Sequence, residues 1–253
     1  MRTIWKASVL IILPIVVVGA LVWYLLYKTQ GYEFPNRIGV IANTTLALLT
    51  FFVVIASVFQ DLIRQWLKTP DLELHITPEP PHFHKTKINL HNNLTCDCYY
   101  LRFIIENKGN TSAEQVEVYA ASLMSESSPV QRFVPMNLFW SNVQKTYLPR
   151  IAPMMKTHCD FGHIINPEHR KEIPYEDDPE AKASGTLLSL DTCVKPNQLG
   201  HLIRPGNYII EIVIVASNSK PKQYNIQLKL DGRWYESESE MFSKGITLKL
   251  NPK

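Results

Sequence analysis

Two uncharged apolar runs open the chain, and a two-residue alternation of apolar and polar positions replaces them after residue 70. The first run, ASVLIILPIVVVGALVWYLLY, covers Ala7 to Tyr27; the second, IGVIANTTLALLTFFVVIASVFQ, covers Ile38 to Gln60. At about 1.5 Å of rise per residue, each is long enough to cross a hydrocarbon core of about 30 Å. Trp5, Trp23, Tyr24, Tyr27, Phe59 and Trp66 stand near their ends, where amphipathic rings settle at the lipid interface. Buried core helices rarely stay uncharged over such lengths. A cleaved signal peptide would carry a shorter apolar core followed by a polar cleavage region. The connector KTQGYEFPNR is short, so the pattern predicts an antiparallel transmembrane hairpin with helices over about 7–27 and 38–60. DLIRQWLKTP then predicts an amphipathic extension to residue 68, stopped before Pro70.

Arg2, Lys6, Arg64 and Lys68 lie near the outer ends of the hairpin, against Lys28 and Arg37 in its loop. The positive-inside tendency then places both termini in the cytoplasm, in a two-pass protein of the inner (plasma) membrane. Within the second span, Asn43, Thr44 and Thr45 are polar. They either bond across helices or line a pore, or else lie near the interface or bond to their own backbone.

From Pro70 to Lys253 the period is two. LELHI, CYYLRFIIEN, AEQVEVYAASL, THCDFGHII, GTLLSLDTC, GNYIIEIVIVAS, KQYNIQLKL and GITLKL read as strands. Tyr99, Leu101, Phe103 and Ile105 share one face of the second of these, and Tyr100, Arg102 and Ile104 the other. NKGN, residues 107–110, reads as the turn of a hairpin joining it to the next strand, since Asn and Gly tolerate positive φ. PEPPHFHKTK reads as a loop, and about 166–203, with its charged PEHRKEIPYEDDPEAK, as an insertion on a sheet edge. About eight short strands without a helix between them predict one all-β antiparallel sandwich over 70–253.

LRFIIENKGNTSAEQVEVY, RIAPMMKTHCDFG and LIRPGNYIIEIVIVASN, in that order, resemble the immunoglobulin-like modules of the cell-adhesion-related bacterial type. The likeness covers about half of the β region and departs from the pattern at Ala152-Pro153-Met154, where glycine is usual. It implies an immunoglobulin-like sandwich and says little about ligands. The whole layout also resembles prokaryotic proteins that set a β-sandwich behind a two-helix membrane anchor. Tyr208, two residues after Pro205-Gly206, suits a structural tyrosine corner.

Composition narrows the chemistry. A net charge of +3 over 253 residues is too small to argue for a nucleic-acid partner. Walker, G-x-S-x-G, H-E-x-x-H and dinucleotide-loop motifs are absent from the sequence, so neither an enzyme nor a cofactor is expected. His82, His84, Cys96, Cys98, His158, Cys159, His163 and Cys193 are soft donors, but their spacing matches no common zinc knuckle, and no metal is expected. The four cysteines are free if the domain is cytosolic and can pair if it is exported. Glu176, Asp177, Asp178 and Glu180 read as a solvated tip. Phe139, Trp140 and Tyr147, with Trp234 and Tyr235, either cover the ends of the sandwich or form a ligand or partner patch.

These readings make the chain a membrane-anchored, non-enzymatic binding module, its partners being the bilayer and a protein or a second copy of itself. The alternative is a sensor-effector of the antiviral type, in which ligand binding to the β domain drives the hairpins to oligomerise and permeabilise the membrane.

Overall fold

The computed structural model describes residues 16–24, 26–28, 31, 34–60, 69–89, 95–125, 128–130, 133–170, 172–173 and 185–251. The chain divides into two units, Met1–Thr69 and Pro70–Lys253.

In the first unit, α1 spans Phe34–Val58. It begins inside the expected connector because proline suits a first turn, where its missing N–H has no partner to lose. Its stretch Ile38–Val58 is long and apolar enough to cross a membrane, and none of it is buried. Helical backbone also covers 16–24 and 26–28. The earlier part of the expected first span and the extension over 61–68 lie outside the described residues.

The second unit is built of antiparallel sheets. Along the chain the strands are β1 (Leu72–His75), β2 (Phe83–Asn89), β3 (Thr95–Asn107), β4 (Ala113–Ser125), β5 (Ser128–Pro129), β6 (Met136–Asn137) and β7 (Phe139–Trp140). They continue as β8 (Tyr147–Ile151), β9 (Lys156–Ile165), β10 (Leu188–Leu190), β11 (Leu202–Ile203), β12 (Gly206–Ala216), β13 (Ser219–Leu230) and β14 (Ile246–Leu250). Sheet A runs β1-β3-β9-β10-β11, with β2 on β3 and β7 on β9. Sheet B runs β14-β13-β12-β4-β5, with β6 and β8 also on β4.

Period-two burial explains why these segments are strands. Tyr99, Leu101, Phe103 and Ile105 on β3 are fully buried, as are Val116, Val118 and Ala120 on β4 and Ile210 and Ile212 on β12. Both sheets feed one hydrophobic core, in which Phe103 and Phe161 meet at 4.5 Å between ring centroids. Tyr208 is half-buried against that core, and its ring leaves no room for a side chain at Gly206.

The expected β3–β4 hairpin does not form. β3 pairs with β1, β2 and β9, whereas β4 pairs with β12 and the short strands, so the NKGN turn carries the chain from one sheet to the other. None of its residues is among those with positive φ. Asn107 makes the turn with its side chain instead: Oδ1 accepts from the N–H of Gly109 at 3.0 Å, an Asx-type bond that replaces a backbone acceptor. The two-residue hairpin is β12–β13, with Ala216 opposite Ser219.

Two further expectations change. PEPPHFHKTK is not all loop, because β2 starts at Phe83, which is buried and pairs with Leu101. The 166–203 segment is not simply an insertion: its β10 and β11 extend sheet A and bury Leu188, Leu190, Leu202 and Ile203.

One segment belongs to both sheets. β6 pairs with β4 in sheet B, β7 pairs with β9 in sheet A, and β8 returns to β4. At the crossing, Leu138 donates its N–H to the Val118 carbonyl, and the buried Trp140 donates its indole N–H to the Val116 carbonyl at 3.1 Å.

Candidate functional site

Strand register gathers an unusual set of side chains on the face of sheet A that points away from the core. Direct pairing aligns His84 with Tyr100, Tyr100 with His163, and His163 with Ser189, one row across β2, β3, β9 and β10. The next row aligns Arg102 with Asp160 and Asp160 with Phe139. A third aligns His75 with Ile104 and Ile104 with His158. His82, just before β2, reaches that third row: its Nδ1 lies 3.1 Å from His158 Nε2, with the two rings stacked. Five of the chain's eight histidines therefore share one sheet face.

A β-bulge makes this possible. The β3–β9 register shifts between Leu101 and Arg102, so that Asp160 and His163 lie on the same side although three residues apart. Gly162 sits in the bulge, and a Cβ there would come within 2.4 Å of the Ser189 carbonyl oxygen. Only glycine lets β10 close on β9 at this point.

The groups are extensively bonded. Arg102 Nε donates to Asp160 Oδ1 at 2.9 Å, and the Ser141 hydroxyl donates to the same oxygen at 2.6 Å. The Arg102 guanidinium also lies over the Tyr100 ring, 5.5 Å from its centre. His163 Nδ1 is 2.6 Å from Asp191 Oδ1, a contact that fixes the imidazole's orientation. Three polar atoms here are buried without a hydrogen-bond partner: His84 Nδ1, Ser189 Oγ and Asp191 Oδ2.

The local environment perturbs the titrating groups. Burial, seconded by the Arg102 charge, holds the His84 pKa below its ordinary value, against opposing effects of the Pro81 backbone, Glu238 and Asp160. Burial likewise lowers His158, assisted by His82 and Arg102. Burial, with the nearby Asp191 charge, pushes the Tyr100 phenol up.

A pH dependence follows. Both imidazoles have folded-state pKa values below the unfolded value of about 6.5, so on acidification the unfolded chain takes up these protons first. Stability is therefore highest above that value and falls as pH drops through it toward the folded-state pKa values. The urea midpoint is expected to be lower at about pH 5.5 than at about pH 7.5, with a smaller drop in a His84→Gln, His158→Gln double variant. An equal drop in that variant would refute the assignment.

Ser189, His163 and Asp191 invite comparison with a nucleophile-base-acid triad. The Ser189 hydroxyl makes no hydrogen bond, so the nucleophile–base link that would activate it is not made. Among the described residues no three His, Cys, Asp or Glu side chains are grouped to hold a metal ion. His82, His84, His158 and His163 come together on the face, but Cys159 is in the core, while Cys96 and Cys98 are buried in a separate apolar cluster with Ile165. None of the four cysteines is in a disulfide, and Cys193 is the exposed one. The 176–180 carboxylates lie outside the described residues.

The aromatic residues singled out from the sequence do not form one patch. Phe139 is half-buried beside Asp160 on the polar face. Trp140 is 1 % exposed and belongs to the core, so its place in a surface patch is corrected. Tyr147 is exposed on β8, opposite Glu117. Trp234 packs on Tyr99 at 4.8 Å, and Tyr235 accepts the Tyr99 hydroxyl proton on its carbonyl at 2.7 Å. Both half-buried rings thus cover the core near that end of β3.

In α1, the Thr44 and Thr45 hydroxyls donate to the carbonyls of Val40 and Ile41 at 2.7 and 2.8 Å, and Asn43 is exposed on the helix. One surface depression, of about 350 Å³ on sheet B, is lined by Asn207, Gln227, Lys229 and Lys249. The sheet A face remains the stronger candidate because its register gathers titratable side chains, and some of its polar atoms are buried without a partner. Sequence reasoning missed it because period-two reading puts His163 on the wrong side of β9. No protein-family model, no curated protein and no solved structure matches the chain.

Proposed function

We propose that this protein is a membrane-anchored recognition module: α1 and the apolar run before it hold it in the bilayer, and the outer face of sheet A binds the ligand. The observation that carries the reading is the 21-residue apolar stretch of α1, unburied throughout, in a chain whose other unit gathers histidines, an arginine and an aspartate on one sheet face. A two-helix hairpin with both termini in the cytoplasm, and an immunoglobulin-like character for the two-sheet unit, are part of the same proposal. Thr44 and Thr45 already give their hydroxyl protons to their own helix and so have none to donate to a neighbouring helix, which fits a simple anchor.

Alkaline carbonate extraction of membranes tests the anchoring. The full chain should stay in the pellet; release into the supernatant would end this reading. Cys193, exposed while the other three cysteines are buried, reports topology. A membrane-impermeant maleimide should label it only after permeabilisation, and labelling in intact cells would reverse the orientation.

A further inference from the structure

Arg102 lies at the middle of the polar face with binding capacity to spare. Its Nε is committed to Asp160, but among the described residues no protein acceptor meets its two terminal Nη groups. The guanidinium lies over the Tyr100 ring, 5.5 Å from its centre, and is braced by the Asp160 bond, which restricts the directions its free fork can take. Two imidazole groups flank it by register: His84 on β2 lies opposite Tyr100, the residue under the guanidinium, and His158 on β9 is two residues from Asp160 and in contact with His82.

Such a fork serves two oxygens of an anion in parallel. A carboxylate has only two and would be satisfied by the fork alone. The adjacent imidazoles, each carrying one N–H donor even when neutral, suit an anion with a third oxygen. The carboxylate nearest the fork, Asp160, is already engaged, and the others nearby carry hydrogen bonds of their own, although Asp191 keeps Oδ2 without a partner. Asp160 accepts from Arg102 and Ser141, Asp191 from His163, and Glu238 from the Lys85 backbone N–H at 2.5 Å.

We propose that the Arg102 fork, with His84 and His158 beside it, binds a phosphate monoester group; this rests on reading the outer face of sheet A as the recognition surface. The group can belong to a soluble phosphate compound or to a lipid headgroup, and the chemistry of capture is the same.

The test uses the full chain in two settings. In neutral-detergent micelles it is titrated with inorganic phosphate by calorimetry near neutral pH. In phosphatidylcholine nanodiscs, with and without phosphatidic acid, hydrogen–deuterium exchange over residues 82–84 and 98–102 is followed. Saturable binding in micelles identifies a soluble source; protection that appears only with phosphatidic acid identifies the lipid. Arg102→Lys keeps the charge and the reach to Asp160 but removes the fork, and should weaken binding about tenfold. His84→Gln should weaken it by a smaller factor, with thermal melts confirming that both variants fold. Absence of saturable binding and of protection, or an Arg102→Lys variant that responds like the parent, overturns the proposal. Carbonate extraction is read without phosphate, so failure of phosphate binding and failure of anchoring are seen separately.

Discussion

Replacing Asn107 with alanine is expected to cost on the order of 3–5 kcal/mol of unfolding free energy, enough to leave much of the β unit unfolded at physiological temperature. This side chain is fully buried and uses both ends of its amide. Oδ1 accepts from the N–H groups of Asp71 and Gly109 at 3.1 and 3.0 Å, and Nδ2 donates to the carbonyls of Thr111 and Ile151 at 2.8 and 3.0 Å. One residue therefore ties the approach to β1, its own turn and the end of β8. Alanine strands four backbone groups at once, each carrying a desolvation penalty of about 1–3 kcal/mol if it finds no water. Asn107→Asp separates the two halves of the network. It keeps both acceptor bonds, loses both donor bonds and sets a carboxylate against two carbonyls, so it should destabilise comparably. A denaturant midpoint for either variant within about 0.5 kcal/mol of the parent would refute the account.

The second large effect is at Trp140. Trp140→Ala should cost about 3–5 kcal/mol, from lost burial and the cavity left behind, and Trp140→Phe should cost about 1–3 kcal/mol because the buried Val116 carbonyl then loses its donor. Both variants lose the indole hydrogen bond and differ in how much burial survives, so their ordering is informative. Chemical denaturation followed by far-UV circular dichroism measures both. An alanine variant no less stable than the phenylalanine one would contradict the burial-dominated picture.

Much of the core was legible in the sequence. The inner faces of β3, β12 and β13 alternate, as does β4 from Val116 to Ala120, a period that burial enforces along a half-buried strand. What alternation leaves undetermined is the partner. NKGN between two patterned strands suits a hairpin and equally a passage between facing sheets, and here Asn107 makes the passage. β2 was hidden because its outward residues are His84, Thr86 and other polar groups, and only Phe83 fully signals the core. β10 and β11 are three and two residues long, too short for a period to show.

The polar face was hidden for a different reason. Its histidines are scattered over nearly ninety residues of chain from His75 to His163, and only the β3–β9 register with its bulge at Gly162 puts them side by side. Reading His158, Asp160 and then residue 162 outward, as strict alternation demands, turns His163 inward. Local irregularity of this kind is invisible to a pattern rule, though a glycine within a strand is its usual sign.

The separation between partner strands also sets an order of assembly during synthesis. β3 ends at Asn107, yet its neighbour β9 begins at Lys156; β4 ends at Ser125, yet its neighbour β12 begins at Gly206. Both long central strands therefore leave the ribosome well before the strands that pair with them. With α1 made first, they wait tethered near its end with one edge open until the carboxy-terminal half arrives. Low local contact makes such folding slow, and exposed edges invite wrong partners meanwhile. In that interval β2, already made and pairing with one edge of β3 through His84 opposite Tyr100, acts as a guard strand for the growing chain.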